Sequence, residues 1–263
     1  MCFDSDATPP AAGPPISAVD SADLRLRSAD GADFDAFRAQ PRQPACGGVV
    51  VLPDARGLAP FYRKLAVRLA EQGHPTIAID YFGRSAGENS DRGEGFPWVE
   101  HIARLDRTRM HDDMVAAIDQ LRLACHCVFA LGFCMGGRTA FMASAARFGL
   151  AGVIGFYGMP GIGGPYGPGP TQHAAELAAP ILGLFGGADE GITPALVDAF
   201  DAALTAAGVA HDLVTYPGAP HSFFDRRDDE FAEACADAWR RVLAFLAQVG
   251  EPPMAVNGQV AAT

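Results

Sequence analysis

Hydrophobic positions fall into short unbroken runs separated by longer amphipathic stretches. Leu24 to Arg38 alternates apolar and polar residues on both sides of Ala29-Asp30-Gly31, which predicts a hairpin. Gly48-Val-Val-Val-Leu-Pro53 is continuously apolar, as a strand covered on both faces should be. Phe61 to Gln72 carries Leu65 and Leu69 at helical spacing, and Gly73 ends it. Thr76 to Asp80 reads as the next strand, Gly83 to Pro97 as a polar, glycine-rich loop, and Trp98 to Leu123 as one long or broken helix. Further strands are predicted at Cys127–Phe133, Gly152–Tyr157, Ile181–Phe185 and Leu213–Tyr216, with helices between them and a last helix over Asp228–Val249. Residues 1–22 are rich in Pro and Ala and are predicted irregular; 250–263 read as a solvated tail. One α/β domain over 23–249 remains. Alternating strands and helices imply a mostly parallel central sheet, helices on both faces, and ligands at the carboxyl ends of the strands.

Composition narrows the function classes. Apolar residues make up 49% of the 263 and charged residues 19%, enough for a sizeable core. A formal charge of −11 argues against nucleic acid and anionic membranes as partners. The first ten residues have neither a basic region nor an apolar core, so no export signal is read and a cytoplasmic protein is expected. The six cysteines are then expected to stay reduced. The apolar run from Val128 to Tyr157 contains Arg138, Arg147 and several glycines, which suits strand–helix–strand packing better than a membrane span.

One stretch concentrates chemistry. Gly132-Phe133-Cys134-Met135-Gly136 ends a predicted strand and opens a predicted helix, the G-x-nucleophile-x-G pattern with cysteine in place of serine. Such a turn needs glycine on either side, because a Cβ there would strike the neighbouring strand and helix. It lifts the thiol clear of the sheet at a helix N-terminus, where the dipole favours a thiolate. A thiol nucleophile needs a base, and the base an orienting acid, each on a loop after a strand. Three histidines follow Cys134. His173 lies in a Gly/Pro-rich loop, His211 opens a strand at its wrong end, and His221 follows the last strand at the right edge. The acid falls in Gly186-Gly-Ala-Asp-Glu190, with Asp189 preferred and Glu190 the runner-up.

These residues resemble the dienelactone hydrolases of the α/β-hydrolase fold. The resemblance runs from about Gly48 to Leu246. It rests on Gly-Phe-Cys134-Met-Gly-Gly, Asp80-Tyr-Phe-Gly-Arg84, Gly155-Phe-Tyr-Gly158, Leu184-Phe-Gly-Gly-Ala-Asp189 and Tyr216-Pro-Gly-Ala-Pro-His221-Ser-Phe. It implies a Cys134–His221–Asp189 triad that hydrolyses esters or lactones, typically an enol lactone, with no cofactor or metal. It places Asp54 where the family has a glutamate that helps deprotonate the thiol, one methylene shorter here. It assigns the oxyanion hole to the N–H groups of Met135 and Ala55. Arg84 matches a family arginine that binds the substrate carboxylate. A second family arginine, four residues after the histidine, is Asp225 here, with Arg226 one position further. Arg56 has three readings: a partner of Asp54, a binder of an acidic substrate, or cover for the rim. Tyr157 is a candidate pocket residue. The partner is then a small ester or lactone that can carry a carboxylate, and the chain is read as a monomer or weak homo-oligomer. The alternatives are a broader carboxylesterase or thioesterase on the same site, and a non-catalytic member that binds a small acid.

Three motifs take plainer readings. Cys125-His126-Cys127 lacks a fourth ligand and zinc spacing, and leads into a strand. Gly161 to Pro170 lacks a following helix N-terminus at phosphate-loop spacing and reads as a mobile flap near the site. His111-Asp-Asp113 reads as a solvated helix face.

Overall fold

The computed structural model describes residues 8–10, 14–44, 47–87, 92–93, 95–163, 167–226 and 230–250. An eight-stranded sheet runs through it: β1 (Val19–Arg27), β2 (Asp33–Pro41), β3 (Gly47–Leu52), β4 (Thr76–Ile79), β5 (Cys127–Phe133), β6 (Gly152–Phe156), β7 (Ile181–Gly186) and β8 (His211–Tyr216). Their order across the sheet is β1-β2-β4-β3-β5-β6-β7-β8. β1 and β2 form an antiparallel hairpin, β2 joins β4 antiparallel, and every pairing from β4 to β8 is parallel. The helices are α1 (Pro60–Glu71), α2 (Gly83–Ala86), α3 (Trp98–Ile102), α4 (Arg107–Arg122), α5 (Met135–Ala143), α6 (Pro194–Ala207), α7 (Phe223–Arg226) and α8 (Ala232–Gly250). They cover both faces, and β3, β5, β6 and β7 are almost wholly buried, as their unbroken apolar runs require.

Strand order locates the site before any side chain is considered. After β3 the chain crosses to β4 on one side of it, then returns to β5 on the other. The crevice at the carboxyl ends of β3 and β5 is therefore a topological switch point, where open α/β sheets bind ligands. Asp54 leaves β3 there, and Cys134 leaves β5.

Several sequence expectations shift. β1 begins at Val19, inside the stretch expected to be irregular, because its long pairing with β2 reaches from Arg27 back to Val19. The long helix breaks after Ile102, and Asp106 caps a new start by accepting from the N–H groups of Thr108 and Arg109. Asp113 is buried rather than solvated: α4 turns it inward against the Arg84 guanidinium, 2.7 Å away. The expected flap is pinned in its described parts. Buried Arg138 on α5 donates to the carbonyls of Met159, Gly161, Gly167 and Pro168 at 2.6–3.0 Å. Residues 164–166 of that loop, and the tail from 251, lie outside the described residues.

Candidate active site

Cys134 is the hinge of the strand-to-helix turn. Its φ of 53° and ψ of −112° lie where a residue with a side chain is strained. The flanking glycines explain why the turn can be so tight. A Cβ on Gly132 would stand 2.0 Å from the Gly136 carbonyl oxygen, and one on Gly136 would stand 2.1 Å from that of Leu52. The Cys134 N–H donates to Phe156 O at 3.0 Å, which fixes the turn to β6. Met135 opens α5, so its N–H has no acceptor within the helix and is available to a ligand.

Among the described residues, the non-glycine residues with positive φ are Cys134, Tyr157 and Ser222. All three converge here. The Tyr157 ring lies tilted against that of His221, with centroids 4.9 Å apart, and Ser222 is the next residue after His221. Backbone strain is thus concentrated around one histidine and one thiol, as at sites whose geometry the fold must impose.

His221 Nδ1 lies 2.6 Å from Asp189 Oδ2, and Asp189 Oδ1 accepts from the N–H groups of Gly191 and Ile192 at 2.8 and 3.0 Å. Burial pushes the Asp189 carboxyl up, but the His221 hydrogen bond and charge and the two N–H donors outweigh it, leaving it below its usual range. Burial works against a charge on His221. The hydrogen bonds to Asp189 and Cys134 and the charges on both prevail, and its pKa is pushed up to about 10. A histidine held as imidazolium against a sulfur and a carboxylate is the electrostatic arrangement of an activated thiol. The other two candidate histidines are engaged elsewhere, His173 with Glu176 and His211 with Val209 O and Asp201. Glu190 is exposed.

Aromatic packing sets the distance between nucleophile and base. Phe133, just before Cys134, stacks on Phe156 with centroids 4.8 Å apart; Phe156 in turn meets Phe224, on the helix after His221, at 4.5 Å. The loop carrying the base is thereby packed onto the strands that carry the thiol and its neighbour.

A match to the dienelactone hydrolase family covers residues 34–250. The chain belongs to this family. It is 32% identical to a carboxymethylenebutenolidase of Rhodococcus opacus, over 75% of this chain and 79% of that one. It is 29% identical to a protein of Methylorubrum extorquens provisionally named carboxymethylenebutenolidase, over 87% of this chain and 81% of that one. A Klebsiella pneumoniae crystal structure, provisionally named a dienelactone hydrolase, superposes with a TM-score of 0.76 at 25% identity, covering 88% of this chain and 99% of that one. The chain is therefore a hydrolase of dienelactone hydrolase type on the α/β-hydrolase fold.

The other described residues to which this family resemblance pointed hold partners of their own. Asp54 is fully buried; its Oδ1 accepts from Arg56 N–H at 2.8 Å, and its own N–H donates to the Tyr62 hydroxyl at 3.0 Å. Arg84 is held by two carboxylates: Asp30 at 2.7 and 3.0 Å, and Asp113 at 2.7 and 3.4 Å. The Arg226 side chain lies outside the described residues. A cavity of about 700 Å³ opens beside Met135, lined in part by Val99, Ile102, Met110, Met142 and His173.

Two features escaped the sequence. Arg92, in the stretch read as a polar loop, forms a buried fork on Asp80 at 3.1 and 2.7 Å, at the end of β4. Asp225 is 1% exposed, and its Oδ2 lies 3.5 Å from the Tyr62 hydroxyl. Nothing in a lone Asp four residues after a histidine signals burial. Among the described residues, no helix is long and apolar enough to cross a membrane.

Proposed function

We propose that the chain hydrolyses carboxylic esters or lactones through a thioester on Cys134, with His221 as acid and base and Asp189 as its orienting partner. The observation that carries this reading is the strained Cys134 turn set against the His221–Asp189 pair, whose imidazole is charged by both neighbours.

The Cys134 thiolate donates a pair to the carbonyl carbon, forming a C–S bond while the carbonyl π pair moves to oxygen. That oxyanion is received by the N–H of Met135, free at the start of α5, and by that of Ala55 at the end of β3. Its collapse breaks the C–O bond, and the leaving oxygen takes the His221 proton. Neutral His221 then removes a proton from water, whose oxygen attacks the thioester carbonyl. Collapse of the second intermediate expels the thiolate and releases the acid. Asp189 holds the Nδ1–H tautomer throughout, leaving Nε2 for the chemistry. Amides are poor substrates on this scheme, because the thiolate is a better leaving group than an amine.

The cavity beside Met135 is the place for the apolar part of the substrate. Arg84 is the candidate clamp for a substrate carboxylate, which would have to exchange with Asp30 or Asp113.

The test is a panel of p-nitrophenyl esters, thioesters and cis- and trans-dienelactone, run with wild type and Cys134→Ala. Turnover of at least one class that vanishes in the variant is expected. Equal turnover by both proteins overturns the reading.

A further inference from the structure

The mechanism above asks two backbone N–H groups, of Met135 and Ala55, to receive the oxyanion. Met135 is fixed by the helix it opens, whereas Ala55 lies in the loop after β3, whose position needs a cause of its own. That loop lies hard against the start of α5. A Cβ on Gly136, the second residue of α5, would stand 2.1 Å from the Leu52 carbonyl oxygen and 2.3 Å from that of Pro53.

The hydrogen bonds of the loop single out Ala55. The Asp54 N–H donates to the Tyr62 hydroxyl at 3.0 Å, and the Arg56 N–H to Asp54 Oδ1 at 2.8 Å. The Gly57 N–H donates to Asp54 O at 3.2 Å, the Leu58 N–H to Asp80 Oδ1 at 3.3 Å, and the Ala59 N–H to Gly57 O at 2.7 Å. From Asp54 to Ala59, only the Ala55 N–H completes no hydrogen bond with any described residue, and Ala55 is buried. A buried N–H without an acceptor is rare, and here it is the one donor the loop leaves to a ligand.

The Leu58 bond is the one that ties this loop to a second strand. Asp80, at the end of β4, is buried, and Arg92 forks it from Nε to Oδ1 at 3.1 Å and from Nη2 to Oδ2 at 2.7 Å. The Arg92 guanidinium lies over the Phe96 ring, 4.6 Å from its centroid. Both carboxylate oxygens are thereby held, and Oδ1 keeps its second lone pair for Leu58. Gly57 fits between, with φ at 77°. A Cβ there would stand 2.7 Å from Asp80 Oδ1 and 2.8 Å from the Phe82 ring.

We propose that Asp80, locked by Arg92, is a positioning residue of the oxyanion hole: it anchors the loop at Leu58 and so holds the Ala55 N–H toward the carbonyl that Cys134 attacks. Neither Asp80 nor Arg92 touches the substrate. Their effect is preorganisation, since a donor already in place costs no reorganisation as charge develops on oxygen. A donor displaced by about 1 Å forfeits up to about 10²-fold in rate. This inference rests on the functional reading above, and adds the residues that hold one of its two donors.

The test uses the double variant Asp80→Ala/Arg92→Met, which removes the anchor without leaving either charge buried alone. Its kcat for p-nitrophenyl butyrate should fall about 10- to 100-fold, with KM within about twofold of wild type. Alkylation of Cys134 by iodoacetamide displaces iodide and forms no oxyanion. Its rate, followed on the Cys134 peptide by mass spectrometry, should stay within about twofold of wild type. Asp80→Asn keeps an Oδ1 acceptor for Leu58 and should recover most of the lost kcat. An unchanged kcat in the double variant, an alkylation rate that falls in step with kcat, or a loss as large in Asp80→Asn, overturns the proposal. If the double variant does not fold, Gly57→Ala replaces it: its Cβ meets Asp80 Oδ1 and should give the same split between turnover and alkylation. Turnover that survives Cys134→Ala defeats the functional reading and this one together. Turnover that needs Cys134 but is indifferent to the loss of the anchor defeats this proposal alone.

Discussion

His221 carries a pKa of about 10 against an ordinary value of 6.5, and this sets the pH behaviour at the scale of single residues. A raised value means that its contribution to stability is fully present below 6.5 and lost as pH climbs through about 10. In the proposed mechanism, the same loss removes the proton an alkoxide leaving group needs. Turnover of alkyl esters should therefore fall through that range, while esters with stable leaving groups such as p-nitrophenolate decline less; pH profiles of kcat/KM check both. Asp189→Asn should lower kcat by roughly 10²–10⁴-fold with little change in KM, because the amide can stabilise the wrong imidazole tautomer. Much of this was legible in the chain. Cys134, Asp189 and His221 each follow a strand in an order that the α/β architecture explains. Asp225 and Asp113 were not, since a carboxylate's burial depends on what distant elements bring to it: Tyr62 in one case, Arg84 in the other.

Among the elements, buried arginines anchor the described parts of the loop after β6 and of the stretch before α3. Arg138→Lys keeps the charge but loses the fork that gathers four carbonyls. It should cost about 1–3 kcal/mol and speed hydrogen exchange in residues 159–163 and 167–168, measured by mass spectrometry. Arg92→Met leaves Asp80 charged and buried, and should destabilise the protein by about 3–5 kcal/mol in urea unfolding. The glycine-rich composition of both segments suggested irregular loops and concealed these anchors, because an arginine held by distant carbonyls or a carboxylate has no sequence period. The eight strands, by contrast, were all readable: buried strands write themselves as unbroken apolar runs, and the edge hairpin as alternation around Ala29-Asp30-Gly31.

At the scale of the whole molecule, sheet order brings Asp54 and Cys134 together across the switch between β3 and β5, and the aromatic stack through Phe133, Phe156 and Phe224 brings His221 to them. The proposed mechanism requires a covalent acyl group on one sulfur. Peptide mapping by mass spectrometry, on Asp189→Asn quenched during turnover of p-nitrophenyl butyrate, reads that intermediate directly, since a misoriented His221 slows hydrolysis of the thioester. The predicted result is a butyryl mass on the peptide containing Cys134. An acyl group on another residue, or none while Cys134→Ala turns over the ester as fast as wild type, would contradict it.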